Sequence, residues 1–263
     1  MIFLYVILTL LATFLGAVTG MGGGVIIKPV LDLEGSYDAA TIGILASVTV
    51  LAMSAMACIR QGKLKAESIS LPGMVMLGLG SAGGGTLGQL IFERFRQSLS
   101  SDAAVKILQN SLLLALMAGI FVYMLFRERI TGLGLKHYLF YLAVGVFLGL
   151  TASFLGIGGG PVNVAVLMLL FSLDIKSAAF GSIVTILFSQ VFKLGSVLLT
   201  TGFGAYDLSA LPYMVAAALA GAYLGSLLKK KLSENSVARL FNAMQIGIAV
   251  ICVFNIVKLS GAF

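Results

Sequence analysis

Charged side chains are scarce in this sequence. Only 10% of its 263 residues are Asp, Glu, Lys or Arg, whereas 59% are hydrophobic. The mean hydropathy is +1.08. A soluble domain has about 25% charged residues, so this much apolar surface does not fit a water-soluble core. We therefore predict an integral membrane protein whose main partner is the lipid bilayer.

Tryptophan is absent, and cysteine and histidine are rare. Without tryptophan, tyrosine and phenylalanine must form the aromatic belts at the membrane interfaces. Cys58 and Cys252 lie within apolar runs, and His137 is the single histidine. These numbers argue against a disulfide scaffold and a zinc site, and we predict no cofactor and no metal. An intramembrane hydrolase is disfavoured as well, because a serine nucleophile needs a base beside it.

Acidic residues are few, and none is predicted to lie deep within an apolar run. Proton pumps commonly use buried carboxylates, and cation-selective pores use acidic rings, so both functions are disfavoured. Basic groups and helix dipoles remain, and they select small anions. The net charge of +7 is spread over short loops, which excludes the continuous basic stripe of a nucleic-acid-binding protein. The acidic residues at predicted span ends are Asp32, Glu34, Asp38, Asp174 and Asp207.

The apolar runs have the length of membrane-spanning helices. A bilayer core requires about 20 residues, and most of the runs are close to that length. The first and fifth are the shortest. The predicted spans are Met1–Val18, Ala39–Ile59, Ile69–Phe92, Ala103–Phe126, Tyr138–Phe154, Ala178–Leu199, Leu208–Leu228 and Val237–Leu259.

Two glycine clusters interrupt the apolar pattern directly after the two short runs. Glycine costs roughly 1 kcal/mol relative to alanine inside a helix, so each cluster breaks its helix. In a membrane such a break is tolerated only within protein or beside a watery cavity. An apolar stretch follows each cluster, Val25–Leu33 and Pro161–Phe171, and restarts a helix whose free N–H groups favour an anion. The predicted binding residues here are Gly20, Gly22, Gly23, Gly24, Gly156, Gly158, Gly159 and Gly160.

The glycine clusters belong to an internal repeat. Leu71-Pro72 matches Leu211-Pro212, and Ser101-Asp102 matches Ser233-Glu234, in the same order as the clusters. We predict an all-α fold of two homologous halves, each with about four transmembrane helices and a glycine-broken helix near its start. The first half covers 1–128 and the second 137–263, joined by a basic linker at 129–136. Parallel and inverted halves both remain open, and the basic loop Arg60–Glu67 favours inversion because its counterpart lacks basic residues.

Polar residues near the breaks complete the predicted site. Lys28 follows the first cluster and either meets the anion or pairs with Asp32 one turn later. Lys193 either faces a cavity, as intramembrane charges commonly do, or snorkels to the surface. The sixth span carries a polar stripe at helical spacing that ends at Lys193. The remaining predicted binding residues are Ser153, Asn163, Ser182, Thr185, Ser189 and Gln190.

The paired motifs Gly-Met-Gly-Gly-Gly and Gly-Ile-Gly-Gly-Gly, with the length and the two halves, resemble the sulfite exporter TauE/SafE family. The resemblance covers essentially the whole chain. It implies a multi-pass protein of a prokaryotic plasma membrane that moves sulfite, sulfonates or related organosulfur anions. The family pattern places a proline a few residues after each cluster. Pro29 fits that pattern, but Ala165 stands at the equivalent position in the second half, where Pro161 follows the glycines directly.

These features lead to a functional hypothesis. We expect a secondary transporter that holds a small sulfur-containing anion between two half-helix starts and alternates access by rocking. The alternative is a passive anion channel of the same architecture. The residues leave open the exact substrate, the direction of transport, coupling to protons or sodium, and the oligomeric state.

Overall fold

A computed structural model describes residues 2–62, 71–99, 101–127, 129–157 and 159–260. Within these ranges the chain forms ten α-helices and no strand. The helices are α1 (Ile2–Thr19), α2 (Gly24–Glu34), α3 (Ala39–Gln61), α4 (Leu71–Ser98), α5 (Asp102–Phe126), α6 (Tyr138–Phe154), α7 (Pro161–Phe171), α8 (Ile175–Thr200), α9 (Leu211–Lys231) and α10 (Glu234–Leu259).

Most helices match a predicted apolar run, and several extend beyond it because polar residues cap or continue them. Asp174 accepts hydrogen bonds from the backbone N–H groups of Lys176 and Ser177, so α8 begins before the apolar run. Ser233 caps α10 in the same way. At its C-terminal end, α4 continues past the predicted end at Phe92, and Arg96 there pairs with Glu93 at 3.0 Å.

Seven of the described helices are long and apolar enough to cross a membrane: α1, α3, α4, α5, α8, α9 and α10. The helix α6 has 17 residues, and α2 and α7 have 11 each. The protein is therefore an all-helical, multi-pass membrane protein with short helices among its spans.

The short helix α2 folds back along α1. A Cβ at Gly23 would contact Thr13, and the rings of Tyr5 and Tyr37 lie 6.1 Å apart at the far end of the pair. The helix α7 returns along α6 in the same manner, with Tyr141 stacked on Phe171 at 4.0 Å. We call α1–α2 the first hairpin and α6–α7 the second hairpin. With 11 residues each, α2 and α7 have about half the length that a bilayer core requires.

The contacts of the helix termini define two ends of the bundle. At the N-terminal end, the backbone N–H of Ala39 in α3 donates to Asp102 of α5 at 2.9 Å. At the opposite end, which we call the linker end, Lys229 of α9 donates to the Gln61 side chain of α3 at 2.9 Å. The N–H of Leu133 there donates to the last turn of α7. The loop after α8 lies at the N-terminal end, because Leu208 packs near the start of α3.

Glycines allow two pairs of helices to pack backbone to backbone. On α4, Gly80 and Gly84 lie against carbonyl groups of α6, and on α9, Gly221 and Gly225 lie against carbonyl groups of α1. Small residues allow such close approach between membrane helices. The helix α3 packs against α8 and α9, α4 also packs against α8, and α5 packs against α10. The tips of the two hairpins meet inside this framework.

Candidate functional site at the crossing of two glycine loops

The glycine clusters meet in the interior of the protein. We call residues 20–24 the first loop and residues 156–160 the second loop, of which Gly158 lies outside the described residues. A Cβ at Gly24 would overlap the carbonyl of Ile157, and a Cβ at Gly160 would overlap the carbonyl of Met21. The contact is reciprocal, so each loop requires glycine where the other crosses it. This contact is called the crossing below.

The backbone of both loops also requires glycine. In the first loop, Gly20 and Gly22 have φ of 77° and 72°. In the second, Gly156, Gly159 and Gly160 have φ of 66°, 93° and 111°. Other residues adopt such positive φ angles rarely. The predicted breaks thus place tight turns, rather than continuous helix, at the centre of the bundle.

Two helices begin at the crossing without a capping side chain. No side chain caps α2 at Gly23 or α7 at Gly160, although α3, α5, α6, α8 and α10 are all capped by one. The N–H groups of a first helical turn have no acceptor within the helix. Both starts are buried, so these donors and the positive ends of two helix dipoles face the protein interior.

Two lysines approach the crossing from the side of the N-terminal end. The Lys28 side chain lies beside Gly156, where a Cβ would be 3.4 Å from its Cδ and Cε atoms and 3.7 Å from Gly43. Ser47 donates to the carbonyl of Gly43 and accepts a hydrogen bond from Lys193 Nζ at 2.8 Å. Both lysines therefore border the same turn of α3.

Lys193 is 2% exposed and does not snorkel to the surface. Among the described residues it has no carboxylate within ion-pair distance. Glu93 attracts it from a distance, but that carboxylate already receives hydrogen bonds from Gln89 and Arg96. Its charge is therefore only weakly compensated.

The expectation that acidic residues avoid the interior is wrong for Asp32. The residue is 3% exposed, and its carboxylate forms an ion pair with Lys28 at 3.0 Å. The Asn110 side chain of α5 donates to the same oxygen at 3.0 Å. Asn255 of α10 then donates to Asn110 and to the carbonyl of Pro29. The short helix α2 lets this carboxylate, at the end of an apolar stretch, lie inside the bundle.

Several predicted site residues are buried and have no hydrogen-bond partner among the described residues. Both polar atoms of the Asn163 side chain lack one, and the residue is 1% exposed. Asn163 lies in the first turn of α7, where a Cβ at Gly159 would be 2.7 Å from its amide nitrogen. Buried polar groups are normally hydrogen-bonded, so this amide is a candidate ligand-binding group. Ser153 Oγ and Gln190 Oε1 are also buried and unpartnered.

The side chains of the polar stripe on α8 have two different kinds of contact. Ser182 donates to the carbonyl of Gly20 at 2.7 Å and so holds the first loop. Thr185 and Ser189 donate to their own helix backbone, and Ser189 faces Gly85 of α4. The stripe therefore brings Ser182 and Lys193 to the region of the crossing, while Thr185 and Ser189 serve helix packing.

Apolar residues that the sequence did not single out enclose the crossing. Ile186 of α8 lies against Gly22 and Gly159, and Val50 of α3 lies against Gly22 and Gly24. Ile186 and Val50 are fully buried. Nothing in the local pattern distinguishes them from other apolar residues. Ser47 is also part of the site, and its sole signal is a hydroxyl group within an apolar run.

The family model described as Sulfite exporter TauE/SafE matches residues 5–251, nearly the whole chain. No curated protein and no solved structure matches the chain.

Proposed function

Since the chain belongs to the sulfite exporter TauE/SafE family, we propose that it is a secondary transporter for a small sulfur oxyanion: sulfite, a sulfonate or a related organosulfur anion. The observation that carries the proposal is the meeting of two buried, uncapped helix starts at the crossing. Helix starts bind anions through free N–H groups and the helix dipole. Discontinuous helices form substrate sites in many transporters.

The donors around the crossing match the shape of a sulfur oxyanion. A sulfite or sulfonate group has three oxygens, which would accept hydrogen bonds from the first-turn N–H groups of α2 and α7. The unpartnered amide of Asn163 supplies a further donor. Lys28 and Lys193 supply positive charge, and hydrogen bonds to charged groups are the stronger ones. We assign Ser153 to the wall of this site, because its buried hydroxyl has no partner among the described residues and can donate to an oxyanion. Gln190 can offer an anion only its Nε2 amide, which donates to Ser189, because its Oε1 atom is an acceptor.

We propose that residues 1–128 and 137–263 are inverted repeats that rock against one another. The packing supports inversion: α1 lies on α9 as α6 lies on α4, and each half begins with a hairpin. The first hairpin begins at the N-terminal end and the second at the linker end. The crossing residues are buried, which favours alternating access over a passive channel. Such a carrier performs no covalent chemistry, so the proposal excludes an enzyme.

The charges at the two ends support one orientation in a prokaryotic plasma membrane. Cytoplasmic loops are enriched in Lys and Arg, and the linker end carries more of them than the N-terminal end. We therefore propose that the linker end is cytoplasmic. Basic residues at the linker end include Arg60, Arg127, Arg129, Lys136, Lys176, Lys229, Lys230, Lys231 and Arg239, whereas Arg94, Arg96, Lys106 and Lys258 lie at the other end.

Counterflow in proteoliposomes tests the transport proposal. Vesicles loaded with unlabelled sulfite and diluted into labelled sulfite should accumulate label transiently, because a carrier exchanges substrate one molecule at a time. The substrates can then be ranked by how strongly an excess of each unlabelled compound outside reduces the accumulation of label. The compounds are methanesulfonate, sulfoacetate, taurine, sulfate and acetate. Equilibration without an overshoot would indicate a channel. No movement of any sulfur oxyanion by folded protein would overturn the assignment.

A further inference from the structure

The buried carboxylate of Asp32 lies one helical turn beyond Lys28 on the same short helix. Lys28 is the lysine that touches the second loop, and its ammonium donates to both Asp32 oxygens, at 3.0 and 3.3 Å. The pair is shielded from water, with both side chains at most 3% exposed. The lysine nearest the proposed anion is therefore held by an internal carboxylate.

An incoming anion must compete with Asp32 for Lys28. If the ammonium turns toward the anion, Asp32 keeps the hydrogen bond from Asn110 but loses its cation. A buried carboxylate without a cation is strongly disfavoured in its ionised form. Proton uptake removes that charge, so anion binding and proton binding at this pair favour each other.

We propose that Asp32 is the proton-binding site that couples a proton to anion transport. The inference rests on the proposed function, since it requires an anion at the crossing. The step is the transfer of a proton from hydronium in the solvent to a carboxylate oxygen of Asp32, which leaves water and changes no oxidation state. The proton and the anion move together, as in symport, because each strengthens the binding of the other.

The position of Asp32 gives the proton a short route. The helix α2 runs from the crossing to the N-terminal end, and Asp32 lies two residues before its last residue, Glu34. Other charged or titratable groups lie on the neighbouring helices, around α2 and the segment that follows it. They are Tyr5 of α1, Asp38 at the start of α3, Lys106 of α5, Lys193 of α8, and Cys252 and Lys258 of α10.

The lysines among these groups cannot replace Asp32 in this role. Lys106 donates to the carbonyl of Tyr37 and pairs with Asp102, and Lys258 donates to the carbonyl of Leu33. These contacts hold the end of α2 in place. Lys193 has no ion pair in the described chain, so the anion does not have to displace a carboxylate from it.

The first test uses the wild-type protein and methanesulfonate, whose own charge does not change near neutral pH. Its affinity, measured by titration calorimetry, should approach a tenfold increase for each unit by which the pH falls. In weakly buffered solution, binding should take up about one proton per anion. Tight binding with no proton uptake would overturn this inference alone. No binding at any pH would remove the sulfonate site, and the proposed function with it.

The second test compares Asp32→Asn with Glu34→Gln in proteoliposomes. Glu34 lies on the same helix and hydrogen-bonds to Ser36 at the surface, so it is a matched control. With acid outside, wild type and Glu34→Gln should accumulate methanesulfonate up to about tenfold per pH unit. Asp32→Asn should keep counterflow and pH-independent binding but lose the accumulation. Full accumulation by Asp32→Asn would place the proton elsewhere, and if this variant does not fold, the wild-type proton measurement decides.

Discussion

Gly160 lies against the carbonyl oxygen of Met21 so closely that a Cβ would overlap it. Gly24 and Ile157 form the equivalent contact in the opposite direction. Two backbone turns thus cross without a side chain between them, and each leads directly into a short helix. This contact brings two helix starts together inside the bundle, and the predictions below depend on it.

The glycines at the crossing should not tolerate even a methyl group. We expect Gly24→Ala or Gly160→Ala to reduce transport at least tenfold, because the loops must separate to accommodate the Cβ. Gly23→Val and Gly159→Val should abolish transport. Counterflow in proteoliposomes measures the loss. Gly195→Ala is the matched control, since a Cβ there meets nothing within 4 Å. Wild-type counterflow in the Gly160→Ala variant would remove the loops from the transport site.

Lys193 should contribute to anion affinity through its charge. We expect Lys193→Gln to weaken sulfite binding by about 1–3 kcal/mol, the usual cost of losing a hydrogen bond to a charged group. That energy corresponds to about 5- to 150-fold in affinity. Lys193→Arg should recover part of the loss, because it keeps the charge with a different shape. Titration calorimetry measures the sulfite affinity of each variant in equally pure, folded preparations. Affinities within twofold of wild type for both variants would exclude a direct role for Lys193.

The two ends of the bundle should be accessible from opposite sides of the membrane. Gln61 is a poor labelling position because it is buried and hydrogen-bonded to the carbonyl of Ala17. Exposed positions are Lys230 at the linker end and Gly204 at the N-terminal end. In a background without Cys58 and Cys252, we expect Lys230→Cys to react with an impermeant maleimide only from the cytoplasm, and Gly204→Cys only from outside. Both positions flank α9, so labelling of both from one side would show that α9 does not cross the membrane. Gln97 lies at the end of α4, the first-half counterpart of α9, and Gln97→Cys should react only from outside. Labelling of Gln97→Cys from the cytoplasm, as for Lys230→Cys, would establish parallel halves.

The Gln61 side chain should stabilise the protein by accepting a hydrogen bond from the buried Lys229 ammonium. This ammonium donates to Gln61 Oε1, while Gln61 Nε2 donates to Ser226 and to the carbonyl of Ala17. We expect Gln61→Leu to destabilise the protein by about 1–3 kcal/mol, because it leaves a buried charge without its acceptor. Adding Lys229→Met should restore most of that loss. Thermal unfolding in detergent measures both variants, and equal melting temperatures for Gln61→Leu and the wild type would show that water replaces the amide.

Much of the architecture could be predicted from composition alone. Apolar runs of about 20 residues must cross the bilayer as helices, because unpaired backbone groups are too costly there. The predicted bounds of α6 and α7 agree with the structure. In the structure, α1 ends at Thr19 and α6 at Phe154, just before the glycine clusters, and glycine weakens a helix at each position.

The path of the chain after each break could not be predicted. Whether α2 continues across the membrane or folds back along α1 depends on contacts such as Tyr5 with Tyr37, which join distant residues. The burial of Asp32 could not be predicted for the same reason, because an acidic residue at the end of a helix that crosses the membrane would face water. In a helix that folds back, the same position faces Lys28, Asn110 and the interior.

The most direct test of the anion site is anomalous X-ray diffraction from crystals soaked in selenite, the selenium analogue of sulfite. The account predicts a selenium peak at the crossing, within hydrogen-bond reach of the backbone of Gly24 and Gly160 and the side chain of Asn163. Crystals of Asn163→Ala should show a weaker selenium peak. The melting temperature of this variant in detergent should equal that of the wild type, because the amide has no partner among the described residues to lose. Selenium bound only at the basic linker end in a saturating soak, with none at the crossing, would contradict the account.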